Sequence, residues 1–172
     1  MKTLKTIVAF LLLTNCIYSQ QIKMDNKKEI KQMLNTFMEC LIKKDSVKFY
    51  NLFHTENISW IGVTHEKSYA DEIKKDSYAK NNFSATYKQF YRNFFKSEIE
   101  EKFYNVQIIE DGYIASVTFD YNFWYKNKKL NWGKESWGLI KTNGVWKITS
   151  VLFSIEYEAI NPEYKKKIAN KK

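Results

Sequence analysis

From Lys102 onward the apolar residues recur at every second position, and this stretch is broken by Asp111-Gly112 and Asn143-Gly144. Asp-Gly and Asn-Gly between alternating apolar runs are strong hairpin signals, because a tight two-residue loop needs residues that tolerate positive φ. A Lys-rich turn around Asn127 lies between them. The spacing predicts four strands, over 102–110, 113–125, 129–142 and 145–156, joined as an antiparallel meander.

The turns also predict a register. A two-residue loop at Asp111-Gly112 pairs Glu110 with Tyr113, and then Ile108 with Ala115, Val106 with Val117 and Tyr104 with Phe119. A two-residue loop at Asn143-Gly144 pairs Thr142 with Val145, then Leu139 with Ile148, Trp137 with Ser150 and Glu135 with Leu152. At the middle turn a two-residue loop would set Asp120 against Glu135, a repulsive pair. A three-residue loop, Lys126 to Lys128, sets Asp120 against Lys134 and Phe119 against Glu135, and is preferred. One face then collects Tyr104, Val106, Ile108, Ala115, Val117, Phe119, Tyr121, Trp137, Leu139, Trp146, Ile148 and Leu152. A one-residue slip would scatter that set over both faces. The opposite face carries Asn105, Gln107, Ser116, Thr118, Asp120, Asn122, Lys134 and Ser136.

The first half reads differently. Asp25 to Lys43 carries Ile30, Met33, Leu34, Phe37 and Leu41 at helical spacing, with Asp25 as the cap. Asp45 caps a second helix holding Val47, Phe49, Tyr50 and Phe53. Residues 58–63 read as a short strand containing Trp60. Residues 68–96 read as mostly helical, striped by Phe83, Tyr87, Phe90, Tyr91 and Phe94, with a break near Lys80 to Asn82. Helices followed by a meander give an α+β domain in which the apolar face of the sheet packs on the helices.

The ends of the chain carry separate signals. Lys2 and Lys5, the apolar run Ile7 to Leu13, and Ile17 and Ser19 before Gln20 form the pattern of a secretory signal peptide over 1–19. The run is far shorter than the roughly 20 residues that span a bilayer. Export places the protein in the periplasm or the medium. Lipid attachment at Cys16 is disfavoured by Asn15 before it. Without the leader only Cys40 remains, so the predicted domain, 20–160, has no internal disulfide. The formal charge of +9 is concentrated outside the domain: Lys2 and Lys5 lie in the leader, and five lysines lie in a basic tail over 161–172. With about +2 left on the domain and Arg92 as the sole arginine, nucleic acid is not an expected partner.

The order of elements, the short strand with Trp60, and the ending GVWKITSVLFS (Gly144 to Ser154) resemble the nuclear transport factor 2-like superfamily, which includes SnoaL-like cyclases and ketosteroid isomerases. The resemblance covers nearly all of 25–156. It implies a cone-shaped, cystatin-like roll with the N-terminal helices packed in the concave face of a curved antiparallel sheet, a pocket inside the cone, and a homodimer formed through the outer sheet face. Ketosteroid isomerases hold an aspartate base on the short first strand, and members often hold a histidine near the end of the last. Trp60 or Ile61 stands at the first place and Leu152-Phe153 at the second, so the resemblance does not bring catalysis with it.

The residues themselves suggest a pocket made of Trp60, His65, Tyr104, Phe119, Tyr121, Glu135, Trp137, Trp146 and Ser150. Glu135 is the one carboxylate placed mid-sheet on the expected inner face. In apolar surroundings its pKa would rise, making it the candidate general acid or base. His54 and His65 have no second ligand at metal spacing, and no phosphate loop or nucleophile triad is present, so no cofactor or metal is expected. Twelve Phe, twelve Tyr and five Trp exceed what a small core needs. They suit either a cone that binds a small apolar ligand or a filled core with an aromatic dimer face. The expected function is non-catalytic binding of a small apolar ligand or a partner, with acid–base catalysis by Glu135 and a homodimeric interaction module as alternatives.

Overall fold

The computed structural model describes residues 26–54 and 57–163. The expected signal peptide, Cys16, the cap Asp25 and the lysines of 165–172 lie outside the described residues. Helix α1 (26–43) buries Ile30, Met33, Leu34, Phe37, Cys40 and Leu41 along one stripe. Helix α2 (Ser46–Tyr50) is capped by Asp45, whose carboxylate accepts the Lys48 N–H at 2.9 Å. Strand β1 (Ser59–Thr64) follows, then α3 (Glu66–Lys75), β2 (Asn82–Ser84), α4 (Tyr87–Phe94) and the long strands β3 (Ile99–Glu110), β4 (Ile114–Tyr125), β5 (Lys128–Thr142) and β6 (Val145–Tyr157).

The sheet has six strands in the order β2-β1-β6-β5-β4-β3. It is mixed, because β1 runs parallel to β6 while the other neighbours are antiparallel. The region expected to be one broken helix over 68–96 contains a strand. Asn82–Ser84 pairs with β1, so Phe83 lies on a sheet edge instead of a helical stripe. The signal for the restart is Thr86 with Gln89: the Thr86 hydroxyl accepts the Gln89 N–H, and the Gln89 side chain accepts the Thr86 N–H, a reciprocal cap. Gly62 makes the β1–β2 edge fit, since a Cβ there would lie 2.5 Å from the Phe83 ring and 2.8 Å from the Phe153 ring.

Three bulges adjust the expected register. The Asp111-Gly112 loop is two residues longer than expected, pairing Glu110 with Ala115, and the Asp111 carboxylate accepts the N–H groups of Tyr113 and Ile114. Between Tyr104 and Gln107 the pairing then skips, with Asn105 at φ 53°. One extra residue reverses the faces of everything before it. Phe103, Glu101 and Ile99 therefore turn inward, and Tyr104 pairs with Asp120 on the outer face. In the middle turn Asp120 does oppose Lys134, and Phe119 opposes Glu135. The loop itself is Lys126-Asn127, both at positive φ, with the extra residue absorbed at Leu130. The last hairpin matches from Thr142–Val145 to Leu139–Ile148, after which a bulge at Thr149 pairs Trp137 with Val151 and Glu135 with Phe153. Ser150 and Leu152 thereby fall on the outer face, and Leu152 is 47% exposed.

The helices fill one end of the concave face. Phe37 packs at a tilt 5.1 Å from both Phe49 and Trp137, and Trp137 meets Phe119 edge-on at 5.4 Å. Phe37, Phe49, Phe119 and Trp137 are all buried to within 1% of complete. Among the described residues no helix is long and apolar enough to cross a membrane.

Candidate functional site

Beyond this packed end the concave face is hollow. A cavity of about 250 Å³ opens between β1, β2, α4 and the sheet. Its wall is Phe37, Trp60, Phe83, Ala85, Phe90, Phe94, Phe123, Phe153 and Ile155, with Asn93, Asn131, Glu101, Tyr121 and Glu135 as its polar members.

Register places the two carboxyls together. On β4 the inward residues run Phe119, Tyr121, Phe123. Glu135 of β5 opposes Phe119, and Glu101 of β3 opposes Phe123, so the two glutamates stand on a diagonal across Tyr121. Gly133 opposes Tyr121, and a Cβ there would sit 1.9 Å from Ser154 O. The bare glycine lets the Tyr121 hydroxyl reach over β5 and donate to Ser154 O on β6 at 2.9 Å. Alongside, the Lys134 N–H donates to the Ser154 hydroxyl at 3.1 Å.

Glu101 and Glu135 are 8% and 5% exposed. Burial pushes both carboxyls above their ordinary range. For Glu101 the neighbouring Glu135 charge and the hydrogen bond between them push further in the same direction. For Glu135 the hydrogen bonds from Trp137 and from Glu101 work against burial and favour the ionised form. Burial and the mutual contact thus disfavour ionising both carboxyls together, with Glu101 the harder of the two to ionise. Trp137 Nε1–H donates to Glu135 at 2.5 Å. Tyr121 is buried beside both carboxyls, and burial followed by their charges raises its pKa well above the ordinary value.

Of the residues suggested by the sequence, Trp60, Tyr121 and Glu135 line the cavity. Phe119, Trp137 and Trp146 are buried in the packed core behind it. Tyr104 lies on the outer face, where its hydroxyl donates to Glu163; Glu163 also accepts from Lys129 at 2.9 Å. Residues 161–163 are therefore docked on the sheet, and Trp132 donates to Asn161 O at 2.9 Å. Ser150 is on the outer face with Leu152. His65 sits at the start of α3, 3.7 Å from the buried Glu156 carboxylate and away from the cavity wall. His54 accepts no site role either: its backbone N–H donates to Ile148 O at 2.9 Å, next to the bridge between Phe53 and Ile148. Cys40 is buried, and desolvation raises its thiol pKa, as suits a packed thiol. Glu101 is the residue the sequence reading missed. Its only signal was the positive-φ-tolerant Asn105, which marks the bulge that turns it inward. Among the described residues no three His, Cys, Asp or Glu side chains gather as metal ligands.

The architecture recurs in solved structures. A nuclear transport factor 2-like protein of unknown function from Pseudomonas putida KT2440 superposes with a TM-score of 0.58 at 9% identity, over 83% of this chain and 94% of that one. The chain has the nuclear transport factor 2-like, cystatin-like fold. A scytalone dehydratase candidate from Novosphingobium aromaticivorans DSM 12444 matches with a TM-score of 0.59 at 15% identity, over 80% and 88% of the two chains. The protein LinA matches at 0.58 and 9%, over 81% and 91%. No family model matches the sequence, and no curated protein does. At these identities the likeness carries the fold and nothing about the chemistry.

Proposed function

We propose that this protein binds a small, largely apolar molecule inside its cone, with the Glu101–Glu135 pair as the polar end of the site. The observation that carries this reading is the cavity of about 250 Å³, walled by aromatic rings and floored by two buried carboxyls. Concave, mostly apolar sites with a few convergent polar groups are the usual form of a small-molecule site. The volume is below the roughly 300–1,000 Å³ of drug-sized sites, which points to a single-ring ligand. A fragment screen followed by NMR should shift the signals of Trp60, Ala85 and Phe90. Filling the cavity with Ala85→Trp should abolish those shifts while leaving the fold intact. Binding that survives Ala85→Trp would move the site elsewhere.

One observation favours a second reading, acid–base catalysis. Two carboxyls whose protonation is held apart inside an apolar cavity are the arrangement from which enzymes draw an acid and a base. Glu135 would take a proton and Glu101 would supply one. Glu135→Gln should then remove turnover without unfolding the chain, and unchanged turnover would end this reading. The setting we propose is extracytoplasmic, on the strength of residues 1–19, and a mature chain beginning at Gln20 by mass spectrometry is the check. A homodimer through the outer face is proposed from the exposed Val63 and Leu152; a monomer by light scattering at high concentration removes it.

A further inference from the structure

The floor of the cavity has already used its hydrogen-bond donors. Trp137 gives its indole N–H to Glu135, and Tyr121 gives its hydroxyl proton to Ser154 O. Glu101 and Glu135 hydrogen-bond to each other. What the floor still presents is carboxyl and phenol lone pairs.

No Lys, Arg or His lies among the described residues of the wall. From the helices the wall receives only rings and the amide of Asn93. From β4 it receives the titratable Tyr121, with Tyr157 of β6 beyond it. Side-chain N–H groups on the rest of the wall belong to Trp60, Asn93 and Asn131. The rings add their own preference. Trp60 and Phe90 lie 5.0 Å apart, and Phe83 and Phe153 lie 5.7 Å apart, all on the same cavity. Aromatic faces carry negative quadrupole density, and a cation within about 6 Å of such a face is attracted most strongly when it is desolvated.

We propose that the ligand is a small organic cation, a protonated amine on a single-ring or similarly compact apolar body, whose ammonium pairs with the Glu101–Glu135 carboxyls. This rests on the reading of the cone as a binding site. An anionic ligand would meet two acidic groups with no basic side chain to offset them. A neutral ligand would find little at the floor to use its acceptors on. An ammonium supplies three donors and one positive charge to a floor that lacks both.

The proton balance gives the test. Burial holds both carboxyls above their ordinary value near 4.5, Glu135 at about 7, so in weakly acidic solution the pair keeps protons that free carboxylates would lose. The cation stabilises the ionised form, so binding there must displace a proton, and affinity must rise with pH until the pair ionises unaided. The probes are 2-phenylethylamine, as its ammonium, and the near-isosteric neutral 2-phenylethanol. Calorimetry on the full chain in two buffers of different ionisation heat counts the protons released.

The ammonium should bind at least about tenfold more tightly than the alcohol. It should release up to one proton at pH 5.5 and gain affinity toward pH 8, whereas the alcohol should do neither. Glu101→Gln with Glu135→Gln should erase the tenfold preference. The wild-type comparison stands without that variant should it fold poorly. Equal or tighter binding of the alcohol, without proton release, overturns the cation assignment and leaves the binding site standing. Binding of neither probe, together with an empty fragment screen, overturns both.

Discussion

The two ends of the concave face are built from the same kind of residue and behave differently. At one end Phe37, Phe49, Phe119 and Trp137 meet ring against ring at 5.1–5.4 Å with nothing between them. At the other, Trp60, Phe90, Phe94 and Phe153 stand around an open volume whose floor is Glu101 and Glu135. The difference lies in what reaches inward. Helix α1 lays Phe37 into the first end, while the second receives only the edge of that ring and the short α4. The floor resists closing up in compensation, because covering two buried carboxyls with still more hydrocarbon adds to the cost of their desolvation. The aromatic surplus therefore serves as a filled core in one half of the cone and as a wall in the other.

The sharpest way to test this contrast is to truncate one ring on each side. Phe37→Ala empties a site that is 1% exposed and bounded by four other rings, and should cost about 3–5 kcal/mol by urea unfolding. Phe153→Ala enlarges a void that already exists and removes a partly exposed ring, so its cost should be well under half of that. Equal costs would mean that the second end closes around its rings in solution and that the cavity is not a standing feature.

The next expected effect is on pH. A carboxyl whose folded pKa is raised binds protons more tightly in the native state than in the unfolded chain. Its contribution to stability is complete below about 4.5 and is lost as pH climbs through the raised folded value. Unfolding free energy should therefore fall between pH 5 and pH 8 by an amount on the order of 1–3 kcal/mol. Replacing both glutamates by glutamine should flatten that slope. The packed end offers no such group, so Phe37→Ala should lower the whole curve without changing its shape. A wild-type curve that is flat or rises over this range would contradict the raised carboxyls.

How far the sequence led follows from the same contrast. The turn at Asn143-Gly144 is read correctly because both residues take the positive φ that a two-residue loop demands, at 51° and 77°. The charge argument at Asp120 and Lys134 holds for the same reason: it is local. Glu135 is placed inward because its register is counted from a nearby turn. While the extra residue at Leu130 leaves the expected Asp120–Lys134 pairing intact, the wrongly assigned faces of the meander come from single extra residues at Asn105 and Thr149, which no neighbouring composition demands. Each shifts parity, and parity decides which face a residue joins. The bulge at Asn105 exchanges Tyr104 for Phe103 and brings Glu101 inside, and the one at Thr149 exchanges Ser150 for Val151. The packed end is tolerant of such slips, since one apolar residue replaces another. The hollow end is not, because its chemistry depends on which two acids face inward.

That asymmetry gives the smallest and most specific test, at Asn105 itself. Its φ of 53° lies in the left-handed region, where an L side chain other than Asn, Asp or Gly is strained by roughly 1–2 kcal/mol. Asn105→Gly keeps the conformation and loses only an exposed hydrogen bond to Asp120, at 2.7 Å, so it should be close to neutral. Asn105→Val should cost about 1 kcal/mol, because a β-branched residue resists that backbone. The informative readout is the pH slope described above. If valine relieves its strain by flattening the bulge, Glu101 leaves the cavity, and the slope should diminish although no titrating residue has been changed. If the slope persists, the bulge holds against the strain, and the pairing of Phe103 and Glu101 with β4 fixes the inward face independently of the residue at 105.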